Sequence, residues 1–243
     1  MSGTEQGASS EVTGSKRLLS AITFLALGIM VVAGVGFALH TASQSPQAKL
    51  YATVNGTADV AGVGTLKHAF ITENVWPDDP TAVAHGAKPD RKHLWPFYGP
   101  ANHLVLPAHS LVTMTLNVYD SGEHLNHDYF AKVVGTVGSS MTVDGQPVTQ
   151  LAPDGVQHTF TLHGLPTSTQ DPLFVNVPLP KMSDAEITAG KYHVVKFDFV
   201  TGGAGEYVWN CEYPCGDGTY AKFGAVMGAQ GYMSGKVSVV NNV

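Results

Sequence analysis

Charge is scarce in this chain of 243 residues: Asp, Glu, Lys and Arg make up 13% of it, about half the usual share. The shortage falls on cations, with 13 Lys and Arg against 19 Asp and Glu, so the net charge is −6. No broad basic face can be assembled from that balance, which excludes nucleic acid as a partner. Cysteine is rarer still. Two residues, Cys211 and Cys215, cannot make a multi-disulfide scaffold. No histidine follows Cys215, the last being His193. Hydrolytic and phosphate-binding signatures are missing too: there is no G-x-S-x-G elbow, no H-E-x-x-H and no P-loop. The residues supply no catalytic set, and enzyme activity by the chain alone is not expected.

One long hydrophobic run is present. Lys16 and Arg17 stand directly before an uncharged stretch from Leu18 to Leu39, long enough to cross a bilayer as a single helix. The basic pair assigns residues 1–17 to a cytoplasmic tail, 18–39 to a transmembrane helix, 40–49 to a linker and 50–243 to an exported domain. The expectation is therefore a single-pass protein of the cytoplasmic membrane with its C-terminal domain outside the cytoplasm. A cleaved signal peptide is the rival reading, against which stand the length of the run and the long preceding segment with Glu5 and Glu11.

Beyond the linker the patterning is that of strands. Leu111–Tyr119, His158–His163, His193–Val200, Glu206–Cys211 and the terminal KVSVVNNV are short apolar or alternating segments. Gly, Pro and Asp clusters such as VDGQP, APDG and TGGAG separate them. Many short strands with turn signals predict an all-β fold, a Greek-key β-sandwich or barrel. Pro172, Pro178 and Pro180 keep the region between Gly164 and Gly190 out of a central strand, so it is expected as an insertion or an edge excursion.

The segment GEYVWNCEYPCGDG, Gly205 to Gly218, places two thiols four residues apart across a proline-containing turn. Thiolates so spaced converge on one soft metal ion, or in an oxidising compartment close a disulfide. Either outcome requires a turn through Tyr213-Pro214, since a bridge needs α-carbons within about 7 Å. His158 is the candidate imidazole, against the bland reading of an ordinary strand histidine. His163, five residues on, faces the opposite side of a regular strand. His124 and His127, beside Asp120, Glu123 and Asp128, form a polar loop cluster that could bind metal, though polar loop residues are more often simply solvated. Met227 and Met233 offer thioethers, though Met is also a routine core filler.

In order, LVLPAHSLVTMTLNVYD, QHTFTLH, VVKFDFVTGGAGEYVWNCEYPCG and GYMSGKVSVV resemble the cupredoxin superfamily, with the best match in the exported copper domain of cytochrome c oxidase subunit II. The resemblance spans roughly residues 103–240. It implies a cupredoxin-like Greek-key sandwich, copper as cofactor, His158 as first imidazole ligand and Cys211 and Cys215 as thiolate ligands. Met233 is similar in place to the axial thioether of mononuclear blue-copper proteins. The chain departs from the oxidase loop at Thr219 and Lys222, where that family has His and Met. The implied function is copper binding with electron transfer or copper delivery, linked to a redox partner or oxidase subunit. The alternative is a copper-free structural or interaction module closed by a Cys211–Cys215 disulfide.

Overall fold

The computed structural model describes residues 8–43, 48–89, 92–93, 95–120, 128–165, 169–216, 224–229 and 231–243, in two units divided between Pro46 and Gln47. The first unit is one helix, α1 (Ala8–Ser43). Its stretch Lys16–Leu39 has a mean hydropathy of 2.5 with no residue buried inside the protein, so it is long and apolar enough to cross a membrane. Thr23, a polar residue within that stretch, returns its hydroxyl to the Leu19 carbonyl at 2.9 Å, which satisfies the group without water. The helix begins at Ala8, ahead of the apolar run, so part of the expected tail is helical.

The second unit is built of short strands in two layers, as the patterning predicts. Its elements are β1 (Lys49–Tyr51), β2 (Thr53–Val60), β3 (Gly64–Trp76), α2 (Asp79–Ala84), β4 (Phe97–Gly99), β5 (His103–Pro107), β6 (Ser110–Val118), β7 (Met141–Val143) and β8 (Gln146–Val148). After these come β9 (Val156–Gly164), β10 (Phe174–Pro180), α3 (Asp184–Thr188), β11 (His193–Val200), β12 (Gly205–Asn210) and β13 (Ser234–Val240). One sheet runs β1-β5-β13-β12-β9-β10 and the other β2-β3-β6-β11-β7-β8, with β4 paired to β3. Neighbours are mostly antiparallel, but β1 with β5, β5 with β13 and β3 with β6 are parallel.

Side-chain alternation explains the layering. On β11, Val195, Phe197 and Phe199 are buried while Lys196 between them is exposed, so a polar outer row lets one face pack inward. Phe160, Leu162, Trp209, Tyr98, Met114 and Leu116 fill the space between the sheets. The Trp209 ring lies 4.5 Å from Tyr98 and 5.5 Å from Phe160, centroid to centroid. Each such side chain contributes about 1.5–3 kcal/mol on leaving water. β10, carrying Pro178 and Pro180, takes the edge of its sheet as its prolines predict.

Three strand ends meet at one end of the sandwich. β12 is antiparallel to β9, and Asn210 pairs with Thr161. The residues just past β12 therefore face the start of β9. From the opposite sheet, β6 delivers its C-terminal end.

Candidate metal centre

Past Asn210 the ladder to β13 continues for one more hydrogen bond, from Cys211 N to Met233 O at 2.8 Å. The chain then turns. Glu212 N donates to Thr159 Oγ1 at 2.8 Å, and Cys215 N donates to the Tyr213 carbonyl at 2.8 Å. These bonds tie the turn to β9 and bring both sulfurs inward. Gly216 adopts φ +76°, and a β-carbon there would lie 2.9 Å from Val226 Cγ1 and 3.4 Å from Trp95. Glycine is required because the left-handed turn and the overlying side chains leave no room for another residue. Trp95, from the loop before β4, thus covers the turn.

The result is a small triangle of soft donors. His158 Nδ1 lies 3.0 Å from Cys215 Sγ and 3.8 Å from Cys211 Sγ, and the sulfurs are 3.5 Å apart. Both cysteines are free thiols. The His158 ring turns its other nitrogen away, and Nε2 makes a 2.7 Å hydrogen bond with Asp120 Oδ2. Asp120 follows the end of β6 and is itself pinned, since Tyr119 N donates to Val75 O at 2.9 Å and Met182 N to Asp120 O at 3.2 Å. Cys211 Sγ also accepts from Thr159 N and Tyr213 N, each at 3.4 Å.

The charges of these buried groups depend on one another. Burial opposes ionisation of the Cys211 thiol, but the Cys215 and His158 hydrogen bonds, the imidazolium charge and the Thr159 N–H outweigh it and hold the thiol well below its ordinary value. The Cys215 thiol is pushed up, by its bond to the Cys211 sulfur first and by burial second. For His158, burial disfavours the charge, yet the Asp120 bond and the Cys211 sulfur raise it to about 9. One thiolate, one imidazolium and one carboxylate therefore share the metal-free site. A cation binding all three donors displaces the Cys215 proton and the proton on Nδ1.

The donor set fits a soft metal ion. Thiolate bonds near 2.3 Å and an imidazole bond near 2.0 Å require donor separations of about 3.5–3.8 Å around a tetrahedral centre. The sulfur–sulfur edge and the edge from His158 to Cys211 lie within about 0.3 Å of those lengths, and the 3.0 Å edge needs to open by about half an ångström. The carboxylate on the outer nitrogen of the imidazole is the usual way a metal-binding histidine is oriented. The N–H groups aimed at Cys211 are of the kind that tune a copper thiolate. The same atoms also satisfy a nucleophile–base–orienter geometry. However, Cys215 is 8%, Asp120 4% and His158 1% exposed, so these side chains are largely covered, as a held ion requires.

The structure thus brings together His158, Cys211 and Cys215 from the sequence-derived set, and these three are within reach of one ion. Met233 is fully buried opposite Cys211, while Met227 is half-buried in the short turn Ala225–Gly228. His163 stays apart, as a strand period of two requires, with Nδ1 near Gly164 O at 3.0 Å and Nε2 near Asn210 Oδ1 at 3.3 Å. His124, His127, Thr219 and Lys222 lie outside the described residues. Sequence reading placed Asp120 with the loop histidines and missed its tie to His158, which joins opposite sheets. It also missed Glu73, a carboxyl buried on the core face of β3 with neither oxygen hydrogen-bonded. A charged residue at an inward position of an alternating strand is the signal that would have found it.

No family model matches the chain and no curated protein matches it. Among solved structures, it is similar to the His143Met variant of rusticyanin at 16% identity and a TM-score of 0.37, covering 77% of this chain and 86% of that one. Rusticyanin from Thiobacillus ferrooxidans gives 15% and 0.36, covering 77% and 86%. Auracyanin B gives 14% and 0.34, covering 77% and 98%. The two-sheet sandwich with one N-terminal helix stands on the strand order itself, and the likeness to oxidase subunit II stands on sequence motifs alone.

Proposed function

We propose that this chain is a membrane-anchored cupredoxin-like protein that binds one or more copper ions through His158, Cys211 and Cys215. In this reading Met233 is an additional thioether ligand, and the sandwich lies outside the cytoplasm. There it transfers electrons or delivers copper in a process linked to a respiratory oxidase. The observation that carries the reading is the buried triangle of His158 Nδ1 and two sulfurs, with sides of 3.0, 3.5 and 3.8 Å. Copper, when bound, supplies a one-electron couple. The protein supplies the thiolates, the oriented imidazole and a fold that limits ligand movement between oxidation states.

The test is metal content and absorption of the full-length protein, extracted in detergent from copper-supplemented cells, beside a Cys211→Ser/Cys215→Ser variant. Stoichiometric copper in the wild type and none in the variant is expected. Intense visible thiolate-to-copper bands favour electron transfer, whereas a colourless Cu(I) form favours delivery. Copper-free protein in both cases overturns the reading.

A second reading draws on the 3.5 Å separation of the sulfurs and the lack of any downstream histidine. A short closure joins them as a disulfide, making the sandwich a copper-free interaction module. Wild-type protein that shows no free thiols after denaturation favours this reading.

A further inference from the structure

Two thiolates and a neutral imidazole form a soft, electron-rich set that favours Cu(I). A site built from these alone is a trap for the reduced ion. This one has a further component: a carboxylate that does not face the donor triangle. Asp120 Oδ2 lies 2.7 Å from His158 Nε2, and the two side chains are 5% and 1% exposed. The Asp120 backbone is anchored on both sides, through Tyr119 N to β3 and through its own carbonyl to Met182 N. The carboxylate is therefore a built part of the site, supplied by the sheet opposite the one that carries the three donors.

We propose that Asp120 is the positioning residue that enables this thiolate site to hold Cu(II) as well as Cu(I). The inference rests on the copper reading above and divides its two branches, electron carrier and copper donor. Asp120 acts in two ways. By accepting from Nε2–H it fixes the tautomer with its lone pair on Nδ1, the nitrogen aimed at the sulfurs, and increases the electron donation of that nitrogen. By adding a buried negative charge it favours the more positive ion. With Cu(II), two thiolates and one carboxylate, the site carries one net negative charge, and reduction to Cu(I) makes it two. Without the carboxylate the same steps run from neutral to one. Accumulating charge in a low-dielectric pocket is costly, so Asp120 opposes reduction. The step is one electron taken by Cu(II) from a one-electron donor, with no bond made or broken.

The test uses detergent-solubilised full-length protein loaded with copper, as wild type, Asp120→Asn and Asp120→Ala. Cu(I) affinity is measured by competition with a chromophoric Cu(I) chelator, and midpoint potential by spectroelectrochemical titration. Asn keeps an acceptor oxygen for Nε2–H but removes the charge. It is expected to leave Cu(I) affinity within a few-fold of wild type while weakening Cu(II) relative to Cu(I) by about tenfold, which raises the midpoint by about 59 mV. Ala removes both the charge and the bond and is expected to lose a further 10- to 100-fold in copper affinity. Should the Ala variant not fold, the Asn comparison alone decides. Stoichiometric copper with an unchanged potential in Asp120→Asn overturns the inference while leaving the copper site intact. A wild type that binds no copper overturns the reading beneath it.

Discussion

Cys211 and Cys215 hold their sulfur atoms 3.5 Å apart, yet their surroundings differ. Cys211 Sγ is fully buried and accepts two backbone N–H groups, from Thr159 and Tyr213, whereas Cys215 is 8% exposed and sits at the outer side of the turn. Replacing the larger sulfur by oxygen lengthens both N–H contacts to Cys211 and strands those donors. Cys211→Ser is therefore expected to lower the stability of the metal-free protein by about 1–3 kcal/mol, and Cys215→Ser by less. Both are expected to abolish stoichiometric copper. Denaturant unfolding followed by tryptophan fluorescence, with metal analysis of each variant, checks the asymmetry. Equal losses would mean that the N–H groups contribute nothing to the fold.

The same burial governs reactivity. Thiols with so little exposure react slowly with an aromatic disulfide reagent, and the rate reports opening of the turn rather than thiol chemistry. Copper-free protein is expected to release two equivalents only on denaturation, and copper-loaded protein to react more slowly still. Zero equivalents in denaturant would assign the pair to a disulfide.

The fold was legible in the sequence where alternation is clean, and the site only where local chemistry marks it. β11 and β12 announce themselves through Val195, Phe197, Phe199, Tyr207 and Trp209, whose inward rows survive in the structure. β3 does not, because the buried Glu73 interrupts its inward row of Ala69, Ile71 and Val75, although it is a long strand lying parallel to β6. The cysteine pair is visible as two rare residues in one turn, and His158 through the motif resemblance. Asp120 had no such marker. Its pairing with His158 depends on how two sheets pack, which no local pattern encodes.

Glu73 gives a pH dependence separate from that of the metal site. Burial raises its carboxyl well above 4.5, and the backbone near Ala101 and Asn74 only partly offsets this. The other ionisable side chains facing the core include Tyr98, whose hydroxyl is pushed up by burial first, by the Cys211 and Cys215 sulfurs next and by Glu73 last. Since the folded state binds the proton more tightly than the unfolded chain, this group's stabilisation is present below about 4.5 and is lost as pH rises through the folded value. Glu73→Gln keeps the shape without the charge. Its stability is expected to exceed that of wild type at pH 8, with the gap closing toward pH 4. Parallel stability curves across that range would exclude ionisation of Glu73 as a source of strain.

Gly235 tests the join between the turn that carries Cys211 and Cys215 and the rest of the sheet. It pairs with Trp209 across β12 and β13, and a β-carbon there would run into the Asn102 carbonyl and come 2.7 Å from Trp209 Nε1. Asn102 O accepts from both Lys236 N and Trp209 Nε1, so it has little freedom to move. Overpacking of this kind costs about 1–3 kcal/mol. Gly235→Ala is expected at the upper end, a fall in melting temperature of about 6–12 °C. A shift below 2 °C by calorimetry, within about 1 kcal/mol, would show that β5 and β13 adjust freely.

Met233 lies fully buried across the ladder from Cys211, to which its carbonyl is hydrogen-bonded. Packing and ligation both account for such a methionine, and leucine separates them. The swap nearly conserves volume and costs under about 1.5 kcal/mol, so the core and the backbone bond to Cys211 are expected to survive. What disappears is the thioether. As a weak axial donor, its sulfur would stabilise Cu(II) more than Cu(I), so its removal raises the potential and shifts the thiolate-to-copper bands. Met233→Leu is accordingly expected to bind copper in the wild-type ratio with altered visible absorption and a higher midpoint. Identical bands and potential would leave Met233 as core packing. The copper would then be held by His158, Cys211 and Cys215 with its fourth direction open, a geometry suited to handing the ion on rather than cycling it.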